Sequence, residues 1–480
     1  SGTATVAFLD GSLTAAVSAK GATLGTQKLS KKLADVNDAA LLTTIDSTAV
    51  DFTGTGSSSG SSSGGSSSGV AGSTFTLTST IDNVSGTSGD DTIRANLDAL
   101  TAANNTLQAS DAISGGAGID TLIIRTSDAS AETITPLYLD GVEKVVVADA
   151  EAAHDITVDL TNATGVNEVI NDGSKSNVTL TAIGTAALTV KNVATNKSTT
   201  FTRDSAAALT ININALGTAE KTDGTNAVYA DNIVSDDATN KATAVTINAT
   251  GVVLVDNMTV TGDDGTAASY KAQTVTVNAS GATDFGDVAG DTGIEGFDTT
   301  KAGKLVVTGA GSVNLRTLDT SVDTVDASQN SGGVTLTATT YQGTNASALA
   351  SPGLEITGGS GADTISVDGE ATAIVKAGAG NDTVTLTNTH AAGASIDGGG
   401  GTDIIGLTNA MADALDASTS DGAALRSTLS GFEALGITNT YGSKITLSSI
   451  GSSYNTLILQ ADVSDGAGGG AVSYTHLTLP

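Results

Sequence analysis

Gly358-Gly359-Ser360-Gly361-Ala362-Asp363-Thr364-Ile365, Ala377-Gly378-Ala379-Gly380-Asn381-Asp382-Thr383-Val384 and Gly398-Gly399-Gly400-Gly401-Thr402-Asp403-Ile404-Ile405 are three versions of one pattern. Each is a glycine-rich turn, an aspartate at a fixed offset, and a strand whose apolar residue follows two positions later. Glycine lets the backbone turn tightly and brings carbonyl oxygens together with no Cβ in the way. Aspartate adds a hard anionic oxygen of the kind calcium prefers. The apolar residue is expected to point into a narrow core. Asp363, Asp382 and Asp403 lie 19 and 21 residues apart, close to one coil of two nine-residue repeats. The loops should therefore stack on one side, with cations between them. Three loops enclose two gaps, which predicts about two calcium ions here. An ordinary Gly-Asp turn explains one copy but not three in register.

Working outward, a second region of this type opens the body of the chain. Gly86-Thr87-Ser88-Gly89-Asp90-Asp91-Thr92-Ile93 is a degraded copy, and Gly115-Gly116-Ala117-Gly118-Ile119-Asp120-Thr121-Leu122 is a full one. Their 29-residue separation needs an insertion within a simple coil. Asp120 reads as a ligand, whereas Asp91 reads equally as a plain turn residue. The candidate calcium ligands, by carbonyl or carboxylate, are Gly86, Gly89, Asp91, Gly115, Gly116, Gly118 and Asp120 in this region. In the later one they are Gly358, Gly359, Gly361, Asp363, Gly378, Gly380, Asp382, Gly398, Gly399, Gly401 and Asp403.

A larger repeat surrounds these motifs. Gly141-Val142-Glu143 after Asp120 and Gly431-Phe432-Glu433 after Asp403 are Gly-apolar-Glu turns that lead into strands. Gly293-Ile294-Glu295-Gly296-Phe297 is a weaker echo. The pattern indicates internal duplication. Glu143 and Glu433 themselves read as solvated turn residues rather than ligands.

Between the two regions, short runs alternate β-branched residues with Thr or Asn, as in Ile156-Thr157-Val158-Asp159, Leu209-Thr210-Ile211-Asn212-Ile213 and Val275-Thr276-Val277-Asn278. Such runs are strands with one buried face. Their steady recurrence suits a solenoid better than a sandwich. With 58 Gly, 3 Pro and 3% aromatic residues among 480, the chain lacks the bulky side chains of a broad globular core. The expected fold is all-β, a parallel β-solenoid or calcium-binding β-roll with a short helical or irregular N-terminal piece. The divisions are 1–56, a remnant of an N-terminal anchoring region; 57–69, a Ser/Gly linker; 70–150, the first calcium region; 151–350, the strand region; and 351–471, the roll and following strands. Residues 27–42 have helical apolar spacing. Residues 472–480 break with the preceding style, resemble translated sequencing adapter, and are set apart from the fold; His476 is expected to carry no chemistry. Both ends read as incomplete.

Charge and composition exclude several functions. A formal net charge of −31 leaves no basic run for phosphates, so nucleic acid is not an expected partner. Bound divalent cations would relieve the self-repulsion. Without cysteine there is neither disulfide nor thiolate metal site. No run of 18 apolar residues exists to span a membrane. Enzyme signatures are missing too: no zinc-protease His motif, no nucleophile elbow and no phosphate-binding loop. His154 and His390 are expected in exposed loops, and the acidic pairs in turns facing calcium or solvent. The chain is therefore not expected to be an enzyme.

The Gly-Gly-x-Gly-x-Asp-x-apolar copies resemble the RTX, or haemolysin-type, calcium-binding repeats of secreted bacterial proteins. The Ser/Gly linker, the Thr-rich opening at 74–78, the long Thr/Ala/Val strands and the late triple motif resemble an RTX-type S-layer protein of the Caulobacter kind over residues 70–465. That resemblance implies a self-assembling coat on the outside of a Gram-negative cell. It also implies export through a type I channel, attachment to lipopolysaccharide through the N-terminal region, and assembly driven by Ca2+. A secreted RTX adhesin or biofilm matrix protein, binding surfaces without forming a lattice, is the alternative.

Overall fold

The computed structural model describes residues 3–9, 12–19, 22–28, 477–478 and most of 71–459, chiefly excluding 218–229, 236–241, 261–271, 339–352 and 441–449. Among the described residues, strands hold 53% and helices 6%, so the fold is all-β. The chain divides into two compact units, Ser1–Ser68 and Gly69–Pro480. In the first, Thr3–Leu9, Ser12–Ala19 and Ala22–Lys28 form an antiparallel meander. The described part of the N-terminal piece is thus strand rather than helical or irregular. Gln27 and Lys28, the start of the expected helix, belong to its third strand; residues 29–42 and the 57–69 linker lie outside the described residues.

The second unit is a parallel β-solenoid. One ladder passes through Thr74–Thr76, Thr92–Leu97, Thr121–Thr126, Lys144–Asp149, Glu168–Asp172, Ala187–Lys191 and Leu209–Leu216 into the long strand Ala244–Thr259. It continues through Thr274–Ala279, Gly303–Gly309, Val322–Asn330, Glu355–Thr357, Ile374–Lys376, Ser395–Asp397 and Leu429–Ser430. Another face carries Glu132–Ile134, Ile156–Asp159, Val178–Thr181, Thr199–Phe201 and Ala230–Ser235 to the same long strand. From there it runs through Thr283–Phe285, Val313–Thr317, Val334–Ala338, Thr364–Val367, Thr383–Leu386, Ile404–Leu407 and Ala434–Ile437 to Thr456–Leu459. A short third ladder joins Asn83–Ser85, Ala112–Ser114, Tyr138–Asp140 and Ala163–Thr164. Every one of these pairings is parallel, which removes the sandwich alternative.

Register explains why small aliphatic residues suffice for the core. Ile93, Leu122, Val145, Val169, Leu188, Ile211, Ile247, Val277 and Val307 are successive partners, and all are fully buried. Leu336, Ile365, Val384, Ile405 and Leu435 form the matching C-terminal stack. Ile365, Val384 and Ile405 are the apolar residues expected two positions after each aspartate. Each buried side chain contributes about 1.5–3 kcal/mol, gained coil by coil as in any stacked array. The opposite face repeats in polar form. Asn248 donates to Asn212 Oδ1 (2.9 Å), Asn278 to Asn248 Oδ1 (2.8 Å), and Thr308 Oγ1 to Asn278 Oδ1 (2.5 Å). Identical amides one coil apart satisfy each other, so this wet face also fixes register.

Longer excursions leave the coils at loops. Residues 98–111 supply the insertion that the 29-residue spacing required. Helices α1 (Asn409–Asp416) and α2 (Ser420–Thr428) fill the corresponding place after the third C-terminal motif, burying Met411, Ala412, Leu415 and Leu425. Leu477–Thr478 pair antiparallel with Thr456–Leu459, so part of the segment set apart from the fold lies on the last strand.

Candidate cation-binding ladders

The glycine-rich turns connect two faces of the solenoid, and each delivers its aspartate to the inside of the stack. Asp91, Asp120, Asp363, Asp382 and Asp403 are all at most 1% exposed. Their carboxylates follow one rule: each receives the backbone N–H of the equivalent residue one coil earlier. Asp91 N–H donates to Asp120 Oδ1 (2.7 Å). In the C-terminal block, Val334 N–H donates to Asp363 Oδ1 (2.6 Å), Asp363 N–H to Asp382 Oδ1 (2.8 Å) and Asp382 N–H to Asp403 Oδ1 (2.8 Å). The structure therefore brings the predicted aspartates together in two separate columns, Asp91–Asp120 and Asp363–Asp382–Asp403.

Both columns end on a glutamate. Asp120 N–H donates to Glu143 Oε2 (2.7 Å) and Asp403 N–H to Glu433 Oε2 (2.9 Å). The Gly-apolar-Glu turn is shorter than the Gly-Gly-x-Gly-x-Asp turn, and the longer glutamate side chain makes up the reach. Gly141 and Gly431 take positive φ (59° and 70°), while Val142 and Phe432 are buried beneath them. In the following coil Asn167 and Asn455 donate their N–H groups to the Glu143 and Glu433 carbonyls (2.8 and 2.9 Å). The duplication expected from these turns thus extends to their hydrogen bonds. The reading of Glu143 and Glu433 as solvated turn residues is corrected: both are half-buried members of the columns. Glu295 does not join them. Burial and the nearby Asp319 push its carboxyl up.

The second oxygen separates the first rung of each column from the rest. Asp91 Oδ2 accepts Thr87 N–H, and Asp363 Oδ2 accepts Gly359 N–H (2.9 Å). Asp120 Oδ2, Asp382 Oδ2 and Asp403 Oδ2 are buried and accept nothing. The difference follows the turn. In the copies with a bare oxygen, the second and fourth glycine positions are left-handed: Gly116 and Gly118, Gly378 and Gly380, Gly399 and Gly401. The corresponding residues of the first-rung copies do not have positive φ.

Electrostatics agree with the geometry. Burial alone would raise the Asp91 carboxyl, but N–H bonds from Thr87 and Ser73 outweigh it and hold it below the usual range. Burial pushes Asp382 up to about 6, with the charges of Asp363 and Asp403 adding to it against the Asp363 N–H. Burial likewise raises Asp120, Asp363 and Asp403, with neighbouring carboxylates adding to it at Asp120 and Asp403.

These features fit a hard cation. A buried carboxylate oxygen without a donor costs free energy that a cation would offset. Backbone oxygens lie close by. A Cβ on Gly115 would stand 2.5 Å from Asp120 Oδ2 and 1.9 Å from the Gly141 carbonyl oxygen. On Gly358 it would stand 2.3 Å from Asp363 Oδ2 and 1.9 Å from the Ala377 carbonyl. Among the described residues no three His, Cys, Asp or Glu side chains converge on one point. A cation here would therefore draw on backbone carbonyls to complete its shell, as calcium does.

Other polar residues escaped the sequence reading. Asp111, fully buried, accepts Asp82 N–H (2.9 Å) and Gln108 N–H (2.8 Å). Asp82 and Asp111 share the 29-residue offset of Asp91 and Asp120, the signal that would have found them. Asn330 takes the N–H groups of Gly332 and Gly333, just before the first C-terminal rung. His154 is not exposed. It is 7% exposed, with Nε2 3.5 Å from Asp149 Oδ1. Asp149 is buried as well and accepts hydroxyls from Thr126 and Ser176, so not every acidic residue sits in a turn open to solvent. His390 lies outside the described residues. No family model matches the chain, and no curated protein does. Among the described residues no helix is long and apolar enough to cross a membrane.

Proposed function

We propose that this chain is a calcium-dependent structural protein of a bacterial surface layer, secreted and self-assembling on the outside of the cell. The observation that carries the calcium part is the set of bare, buried Asp120, Asp382 and Asp403 Oδ2 atoms in stacked columns. Calcium, when bound, would supply the positive charge that these columns lack. The chain's own residues do the rest: glycines admit the close coil contact, aspartates hold the rungs in register, and aliphatic stacks bury the core. At cytoplasmic calcium levels the acidic columns oppose folding, which keeps the chain competent for export. Extracellular modules bind calcium at about 10⁻⁴–10⁻³ M, so folding would be completed outside. The lattice, the lipopolysaccharide anchor and the type I route rest on the resemblance to RTX-type S-layer proteins.

Negative-stain electron microscopy of the full-length protein tests this reading. Ordered two-dimensional sheets are expected only after millimolar-range calcium is added. Separate rods that stiffen but never tile would favour an adhesin, and no response to calcium would overturn the reading. The columns also rank their members. Asp382→Ala, which removes a shared rung with a bare oxygen, is expected to weaken calcium binding more than Asp91→Ala, whose oxygens already accept N–H groups. Calorimetric titration measures the difference, and equal losses would sink the ranking.

A further inference from the structure

Each column ends where a Gly-apolar-Glu turn replaces the aspartate turn, and the last aspartate keeps a bare oxygen. Asp120 and Asp403 are fully buried, and their Oδ2 atoms have no partner. The carbonyl oxygens of Gly141 and Gly431, which open the glutamate turns, come to 1.9 and 2.2 Å of the Cβ positions of residues 115 and 398. Glu143 and Glu433 use one oxygen, Oε2, to accept the aspartate N–H. We propose that Glu143 and Glu433 are ligands of a closing divalent-cation site at the end of each column, shared with Asp120 and Asp403 and the Gly141 and Gly431 carbonyls. The inference rests on the reading of the columns as calcium sites and extends it to residues outside the Gly-Gly-x-Gly-x-Asp pattern.

The alternative role for these glutamates is to accept the N–H and nothing more. A neutral amide of the same shape does that equally well, so glutamine separates the two roles. The charges of Glu143 and Glu433 also press on Asp120 and Asp403, lifting their carboxyls beyond the effect of burial. A column ending on two facing carboxylates without a cation is therefore electrostatically unfavourable, and an amide would relieve it. The closing sites add one ion to each column, so the C-terminal block would hold about three rather than two.

Calcium titration calorimetry on the full-length protein tests this, comparing Glu143→Gln, Glu433→Gln and, as a charge control, Glu355→Gln. Glu355 pairs with Lys376 at 3.9 Å and lies outside the columns. Each closing-site variant is expected to lose one equivalent of calcium, or to bind it at least about tenfold more weakly, while Glu355→Gln keeps the wild-type stoichiometry. A second readout leaves every carboxylate in place. Burial raises the Tyr454 hydroxyl and the nearby Glu433 charge adds to it, so terbium at the C-terminal closing site should show tyrosine-sensitised emission that Tyr454→Phe removes. Unchanged stoichiometry and unchanged affinity in both glutamine variants overturn the closing sites and leave the aspartate sites standing. A wild-type protein that binds neither calcium nor terbium overturns the underlying calcium reading, and the closing sites with it.

Discussion

Gly401→Ala is expected to cost at least about 3 kcal/mol of stability, while Gly400→Ala, one residue earlier, changes it by less than about 0.5 kcal/mol. A Cβ at 401 would stand 1.5 Å from the Gly380 carbonyl oxygen, and residue 401 has φ of 148°. The obstructing atom is backbone, so no side chain can rotate away. Making room means separating two coils joined by Gly380 N–H to Gly400 O (2.8 Å) and Gly400 N–H to Gly378 O (2.9 Å). At Gly400 nothing lies within 4 Å of the added atom, and φ is not positive. Urea unfolding with calcium present measures both variants. Hydrogen exchange in Thr383–Leu386 and Ile404–Leu407 should locate the damage to the coils on either side. Equal effects at the two positions would show that these turns are not packed backbone against backbone.

Without calcium, stability should fall as pH rises from about 4 to about 6. Folded Asp382 holds its proton more tightly than the unfolded chain does, because its carboxyl is raised from 3.8 to about 6. The native state therefore binds more protons in that window. The penalty is absent below about 4 and complete above about 6, where it amounts to roughly 3 kcal/mol. Asp120, Asp363 and Asp403 act in the same direction. Asp91, Glu168 and Asp326 are lowered and act oppositely, losing their contribution as pH falls through their own ranges. The metal-free protein should accordingly be most stable in mild acid. Asp382→Asn keeps the acceptor for Asp363 N–H and removes the buried charge. It should stabilise the metal-free protein at pH 7 by about 2 kcal/mol while lowering its calcium response. Saturating calcium should reverse the slope, since protons compete with the cation for carboxylates. Thermal unfolding at pH 4 to 7 in chelator and in calcium reads both effects. A metal-free protein that grows more stable from pH 4 to 7 would contradict the raised aspartates.

Much of the site was legible because its motif is local. Asp120, Asp363, Asp382 and Asp403 each follow a glycine turn at a fixed offset, and that offset puts them on one side of the coil. Glu143 and Glu433 were visible as a repeat but assigned to solvent. Nothing in a three-residue turn shows that its side chain reaches a neighbour 23 or 30 residues away. His154 was misplaced for the same reason. A lone histidine between short polar segments carries no periodicity, and its partner Asp149 is itself buried under hydroxyls of Thr126 and Ser176, 23 and 27 residues away along the chain.

By itself the sequence determined the class of fold. Alternation of β-branched with Thr or Asn residues dictates strands with one dry face, and recurrent Gly-Asp turns dictate coils, because both depend on local backbone and side-chain geometry. Only the tertiary structure decided which carboxylate oxygens take N–H groups and which stay bare. That outcome depends on contacts between coils: on the left-handed turn at Gly116, Gly378 and Gly399, and on the N–H of the preceding rung. Residues 19 to 30 positions apart become neighbours only when the coils stack.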